Sequence, residues 1–182
     1  MKNAGRLKNK SYNIAFGGIF SSLSLVCMIL SGALSAASYC FVVLSSFCIA
    51  VIREELSGRY ALAGYFVVSV LSALFVTDKE AAALFVFFFG YYPVLKLYLE
   101  RTVSNRTLSF IIKTAVFNAA CVAVFFLTVY LLGVPKESYM IGAHYVPWVI
   151  LILANIFFCI YDRTLAVLIS LYKIKFKKFF KR

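Results

Sequence analysis

The sequence predicts an all-α membrane protein, a bundle of six transmembrane helices with both termini cytoplasmic. Three observations carry that prediction. First, the 182 residues are 63% apolar and only 14% charged, with a mean hydropathy of +0.92. A soluble domain is about 45–50% apolar and about 25% charged. Second, apolar runs recur along the whole chain, at about 12–34, 37–52, 60–76, 81–99, 108–133 and 145–172. A hydrocarbon core about 30 Å thick takes about 20 helical residues to cross. Third, when these runs are threaded alternately from a cytoplasmic N-terminus, all of the 19 Lys and Arg residues except Lys79 and Lys136 fall on the inner side. That is the positive-inside pattern, so the net charge of +12 orients the chain in a membrane and does not point to nucleic acid. The polar stretches are all short. Residues 1–182 are therefore expected to form a single integral membrane domain ending in a basic cytoplasmic tail, 173–182.

The first span follows a basic segment, Met1–Lys10, and is too long for the apolar region of a cleaved signal, so it is expected to insert and stay. It carries small residues four apart, Gly17 with Ser21 and Gly18 with Ser22. Such spacing lets a second helix approach closely in lipid, either one of this chain or a partner's. The second span is short and contains Ser and Cys, and the turn Arg53–Arg59 that follows mixes signs. The third ends near Val76. Asp78 and Glu80 then stand at the start of the fourth, where acids suit the positive end of a helix dipole.

The fourth span reads EAAALFVFFFGYYPVLKLYLER from Glu80 to Arg101. Pro93 lacks a backbone donor and crowds the carbonyl four residues back, so a kink is expected there. Backbone groups freed in mid-membrane need protein groups or trapped water to satisfy them. Lys96, and Lys113 at the start of span five, are expected to snorkel to the interface without buried partners. Asn118 and Asn155, near the middle of spans five and six, should face protein or a wet cavity, because an unpaired amide in hydrocarbon is costly. Between those spans lies the longest outer connection, with Tyr139, the single His144, Tyr145 and Trp148. Asp162 and Arg163 interrupt span six. They either pair with each other or, pointing about 100° apart, reach neighbouring helices. Alternatively the span ends near Tyr161 and the rest lies along the inner surface. The tail alternates basic and aromatic residues and fits anionic lipid.

The catalytic motifs are missing. No phosphate-binding Gly-rich loop, HExxH or GxSxG occurs, and the five cysteines lie in or at the ends of apolar runs without paired spacing. No enzyme activity, cofactor, metal site or disulfide framework is expected. No chain of acids and histidines runs through the spans to drive transport by protons. If the chain transports a solute, a partner must supply the energy.

The opening of span one, YNIAFGGIFSSLSLV, together with the size, six spans and basic tail, resembles the S component of an energy-coupling factor transporter. These are small vitamin-binding membrane subunits of bacteria. The Ala-xxx-Ala spacing usual there is absent, since Ala15 is followed four later by Ile19. The resemblance implies a substrate-binding subunit for uptake of a small nutrient in the bacterial plasma membrane. It implies a transmembrane coupling subunit and cytoplasmic ATPases as partners, with docking through Gly17, Gly18, Ser21 and Ser22. It implies an outward cavity whose candidate lining is Tyr39, Glu80, Tyr91, Tyr92, Asn118, Tyr139, His144, Trp148 and Asn155. Aromatics there would stack on a flat ligand and amides would orient it. The competing expectation is a six-span scaffold that organises envelope-synthesis partners without transporting anything.

Overall fold

A computed structural model describes residues 2–33, 37–103, 105–131, 140–141, 144–145 and 147–175, with side chains over 10–33, 37–103, 105–130 and 151–174. The described residues form six helical rods. We label them α1 (Lys2–Ala33), α2 (Ser38–Glu55), α3 (Gly58–Phe75), α4 (Lys79–Thr102), α5 (Arg106–Phe126, continued by a π-helical turn Leu127–Leu131) and α6 (Pro147–Lys175). Before α6, β1 (Met140–Ile141) pairs antiparallel with β2 (His144–Tyr145).

Among the described residues, five helices are long and apolar enough to cross a membrane: α1, α3, α4, α5 and α6. The remaining one, α2, has 18 residues and closes on Arg53, Glu54 and Glu55. The outward face of the bundle is apolar, with Ile19, Phe66, Leu74, Phe75, Tyr130 and Ile152 all exposed. Large unscreened apolar surfaces of this kind suit lipid and not water. α6 runs unbroken through Tyr161, so no helix end falls there.

The helices alternate up and down. Gly32 of α1 lies against Thr77 and Asp78 between α3 and α4, while Gly17, nearer the start of α1, lies against Leu56 between α2 and α3. Polar side chains tie the first three helices together. Ser24 Oγ donates to the Ser45 carbonyl at 3.1 Å and Ser45 Oγ to the Ser24 carbonyl at 3.0 Å, a reciprocal clasp between α1 and α2. Gly64 of α3 admits Ser21 of α1. A Cβ on Gly64 would stand 2.6 Å from Ser21 Oγ and 3.3 Å from Ile52 Cδ1, so a larger residue would force the serine hydroxyl aside. Caps follow the composition: Asp78 accepts from the Ala81 amide at 3.0 Å, and Lys79 Nζ donates to the Ala73 carbonyl at 3.0 Å.

The expected kink at Pro93 is displaced. α4 changes to a π-helical turn at Phe85–Phe89, one turn earlier, and Pro93 stands in the first turn of the helix that resumes at Tyr92. The Gly90 amide donates to Phe85 O, five residues back, at 2.8 Å. That leaves the Val86 carbonyl without its helical donor, and Tyr65 Oη of α3 donates to it at 2.7 Å. Pro93 in turn leaves Phe89 O free. Ser46 Oγ of α2 donates to it at 2.7 Å. Both freed carbonyls are therefore satisfied by protein hydroxyls. Gly90 is required here: a Cβ would stand 2.4 Å from the Tyr65 ring.

Candidate functional site

On α4, Tyr92, Lys96 and Glu100 are spaced by four and so share one face. That face meets Lys113 of α5 and Asp162 of α6. Tyr92 Oη donates to Asp162 Oδ1 at 2.5 Å. Lys96 Nζ donates to the same carboxylate oxygen and, at 2.8 Å, to the Asp162 carbonyl. Lys113 Nζ donates to Glu100 Oε1 at 2.7 Å and stands 3.8 Å from Asp162 Oδ1. Lys96 lies 3.7 Å from Glu100 Oε1. Tyr92, Lys96 and Lys113 are buried at 0%, 3% and 5% exposure, whereas the Glu100 side chain is 44% exposed.

These distances correct the expectation that Lys96 and Lys113 snorkel alone. Each is buried because an opposite charge meets it inside the bundle. Two ammoniums and two carboxylates balance, which lowers the cost of holding charge in a low-dielectric interior. Asp162 takes its partners from neighbouring helices, one of the two outcomes the sequence left open. The network locks α4, α5 and α6 at one depth. It opens toward the bundle surface at Glu100 and closes inward at Tyr92.

Beyond Tyr92 the interior is filled by rings. Phe88 is the hub, with centroids 4.7 Å from Tyr92, 4.9 Å from Phe117 and 5.7 Å from Phe158. Phe117 stacks on Phe158 at 4.8 Å, and Phe89 meets Tyr161 edge-on at 4.7 Å. Tyr161 Oη shares a 2.6 Å hydrogen bond with Ser46 Oγ, so the aromatic layer is also tied to α2.

The nine residues expected to line a cavity separate into groups. Tyr92 is buried, with its hydroxyl committed to Asp162. Tyr91 is half-buried between the edges of Tyr65 and Phe88. Asn118 and Asn155 are brought together and satisfy each other. Asn155 Nδ2 donates to Asn118 Oδ1 at 2.8 Å and Asn118 Nδ2 to Asn155 Oδ1 at 3.3 Å, with Leu151 O also accepting from Asn155 at 2.8 Å. Glu80 and Tyr39 are exposed at the end of the bundle where α2 and α4 begin, and Tyr39 meets Phe157 edge-on at 6.2 Å. His144 sits in β2 opposite Ile141, and Trp148 in the first turn of α6. Tyr139 lies outside the described residues, as do the side chains of His144 and Trp148.

The small residues of α1 also separate. Gly17 and Ser21 face the bundle interior, at Leu56 and Gly64. A Cβ on Gly18 would meet nothing within 4 Å, and Ser22 is exposed.

Sequence reasoning missed Lys96, Glu100, Lys113 and Asp162 as one cluster. The signal that could have found them is the Tyr92–Lys96–Glu100 spacing, read together with an acid in span six that needs a counter-charge at matching depth. Among the described residues, no three His, Cys, Asp or Glu side chains converge as metal ligands, and the five cysteines are free. Comparison with protein-family models, curated proteins and solved structures finds no match to this chain, and its site is read from its own chemistry.

Proposed function

We propose that this chain is the membrane-embedded binding subunit of an uptake system for a small, vitamin-like nutrient. In this reading it crosses a bacterial plasma membrane six times, with both termini cytoplasmic and the basic tail on anionic lipid. A transmembrane coupling subunit and cytoplasmic ATPases supply the energy. The observation that carries the reading is the open Gly18–Ser22 face of α1. The neighbouring pair Gly17–Ser21 is consumed by internal packing, so the outward pair is free to receive a partner helix. The sixth crossing is α2. Its charges are confined to its last turn, its inward residues are fully enclosed, and 18 residues span about 27 Å.

Because rings fill the middle of the bundle, the ligand belongs at the end that carries Tyr39 and Glu80. The test is affinity purification of the tagged chain from its own membrane. A coupling subunit and ATPases should accompany the native chain and be lost from Gly18→Leu. If the same proteins follow both, α1 is not the docking face.

One observation favours the second reading, a six-span scaffold for envelope-synthesis partners. The layer expected to hold ligand is packed with Phe88, Phe117, Phe158 and Tyr161, and its two amides pair with each other. A scaffold would carry enzymes and no metabolite through the same purification.

A further inference from the structure

We infer that Lys96 and Lys113 form a site for a phosphate-type oxyanion, occupied in this conformation by the chain's own Glu100 carboxylate. This inference does not rest on the uptake reading. The two acids of the network are not equivalent. Asp162 is enclosed, holds Lys96 through both its carboxylate and its carbonyl, and accepts from Tyr92. Glu100 is 44% exposed and, among the described residues, accepts the one hydrogen bond that Lys113 donates.

An ion pair with an exposed partner is weak and exchangeable. Lys113 is 5% exposed, and with Glu100 withdrawn it would face only Asp162, 3.8 Å away and already held by Lys96 and Tyr92. The combination makes Glu100 a replaceable occupant of a permanent cationic seat. A lysine ammonium offers three donors, and phosphate offers several acceptor oxygens to satisfy them.

A second feature points to an incoming group. Ser109 lies one helical turn before Lys113 on the same face of α5 and is 4% exposed. Its Oγ is buried with no hydrogen-bond partner among the described residues. A buried hydroxyl without a partner, one turn from a buried ammonium whose acceptor is half exposed, leaves a donor for an incoming acceptor to satisfy. Arg101 and Arg106, both exposed, flank the α4–α5 connection and raise the local anion concentration. The site sits near the end of a span, at a depth where either a phospholipid headgroup or a free phosphate could enter. The oxyanion chemistry is the same for both.

The experiment uses the full-length chain in nanodiscs. One arm is pure phosphatidylcholine titrated with inorganic phosphate against chloride at equal ionic strength. The other exchanges part of the lipid for phosphatidylglycerol. The readouts are the shift in thermal unfolding midpoint and lipid retention by native mass spectrometry. Glu100→Gln removes the internal competitor and should tighten anion binding about tenfold, a shift typical of losing one charge-assisted contact. Glu100→Gln/Lys113→Gln should abolish it. A response to inorganic phosphate alone identifies a soluble ligand, and a response to phosphatidylglycerol alone identifies a headgroup. If Glu100→Gln binds no tighter than the native chain in either arm, the inference is overturned, whether or not Lys113 variants fold. If the double variant still binds, the seat is not Lys113.

Discussion

Replacing Asp162 with Asn removes a charge while nearly preserving volume, and its cost follows from what Lys96 has left. Lys96 is 3% exposed. Without the carboxylate, its ammonium keeps the residue-162 carbonyl at 2.8 Å and the half-exposed Glu100 at 3.7 Å. Stripping one partner from a buried pair costs about 3–5 kcal/mol, because the remaining charge is stranded. Glu100 offsets about 0–1 kcal/mol of that, the value of a solvent-screened pair. Tyr92 retains an acceptor in the amide oxygen and adds little. The expected loss is about 3 kcal/mol for Asp162→Asn. Lys96→Met should cost less, because Asp162 then keeps Tyr92 and has Lys113 at 3.8 Å. The double variant removes both charges and should be less destabilised than the sum of the singles by at least about 1–2 kcal/mol. Reversible unfolding in mixed micelles, followed by circular dichroism, measures all three. A cost below about 1 kcal/mol for Asp162→Asn, as for a surface pair, or strict additivity in the double variant, would refute the buried network.

Three further outcomes are expected. Ser46→Ala strands both the Phe89 carbonyl and the Tyr161 hydroxyl and should cost about 1–3 kcal/mol per group. Cysteine in the same place, a weak donor, should recover only part of it in the unfolding assay. Gly64→Ala drives a methyl into Ser21 and should destabilise by about 1–3 kcal/mol, whereas Gly18→Ala, with open space around it, should leave unfolding unchanged. Asn155→Leu should destabilise by exposing the Asn118 amide to an apolar interior. Asn118→Leu/Asn155→Leu should recover most of that loss, and a double variant worse than both singles would show that the amides serve something other than each other.

The helices were legible because hydrophobic length and charge placement are local properties of the chain. What escaped depends on which face of a helix a residue occupies and on partners far away in sequence. Lys96 and Asp162 are 66 residues apart, and nothing near Lys96 announces a carboxylate. Read alone, a lysine near a helix end snorkels; read with Tyr92 and Glu100 at four-residue spacing, it points inward. The sequence shows that α4 is interrupted, but Pro93, the interruption visible in it, stands after the π-turn. The π-turn before it depends on Tyr65 filling the space over Gly90, a contact between helices. Likewise the two small pairs of α1 look alike as letters. Gly17 and Gly18 differ by 100° of rotation, and that angle sends one pair inward and leaves the other open. Asn118 and Asn155, expected to face protein or a wet cavity, hydrogen-bond each other.

The binding claim is tested most directly by small-molecule mass spectrometry on the native chain purified in mild detergent from its own membrane. The uptake reading predicts a defined nutrient-sized compound, retained near one per chain and lost when Glu80 and Tyr39 are replaced by Ala. Recovery of the folded protein with no small molecule, from cells grown with and without vitamin supplements, would contradict it and leave the scaffold.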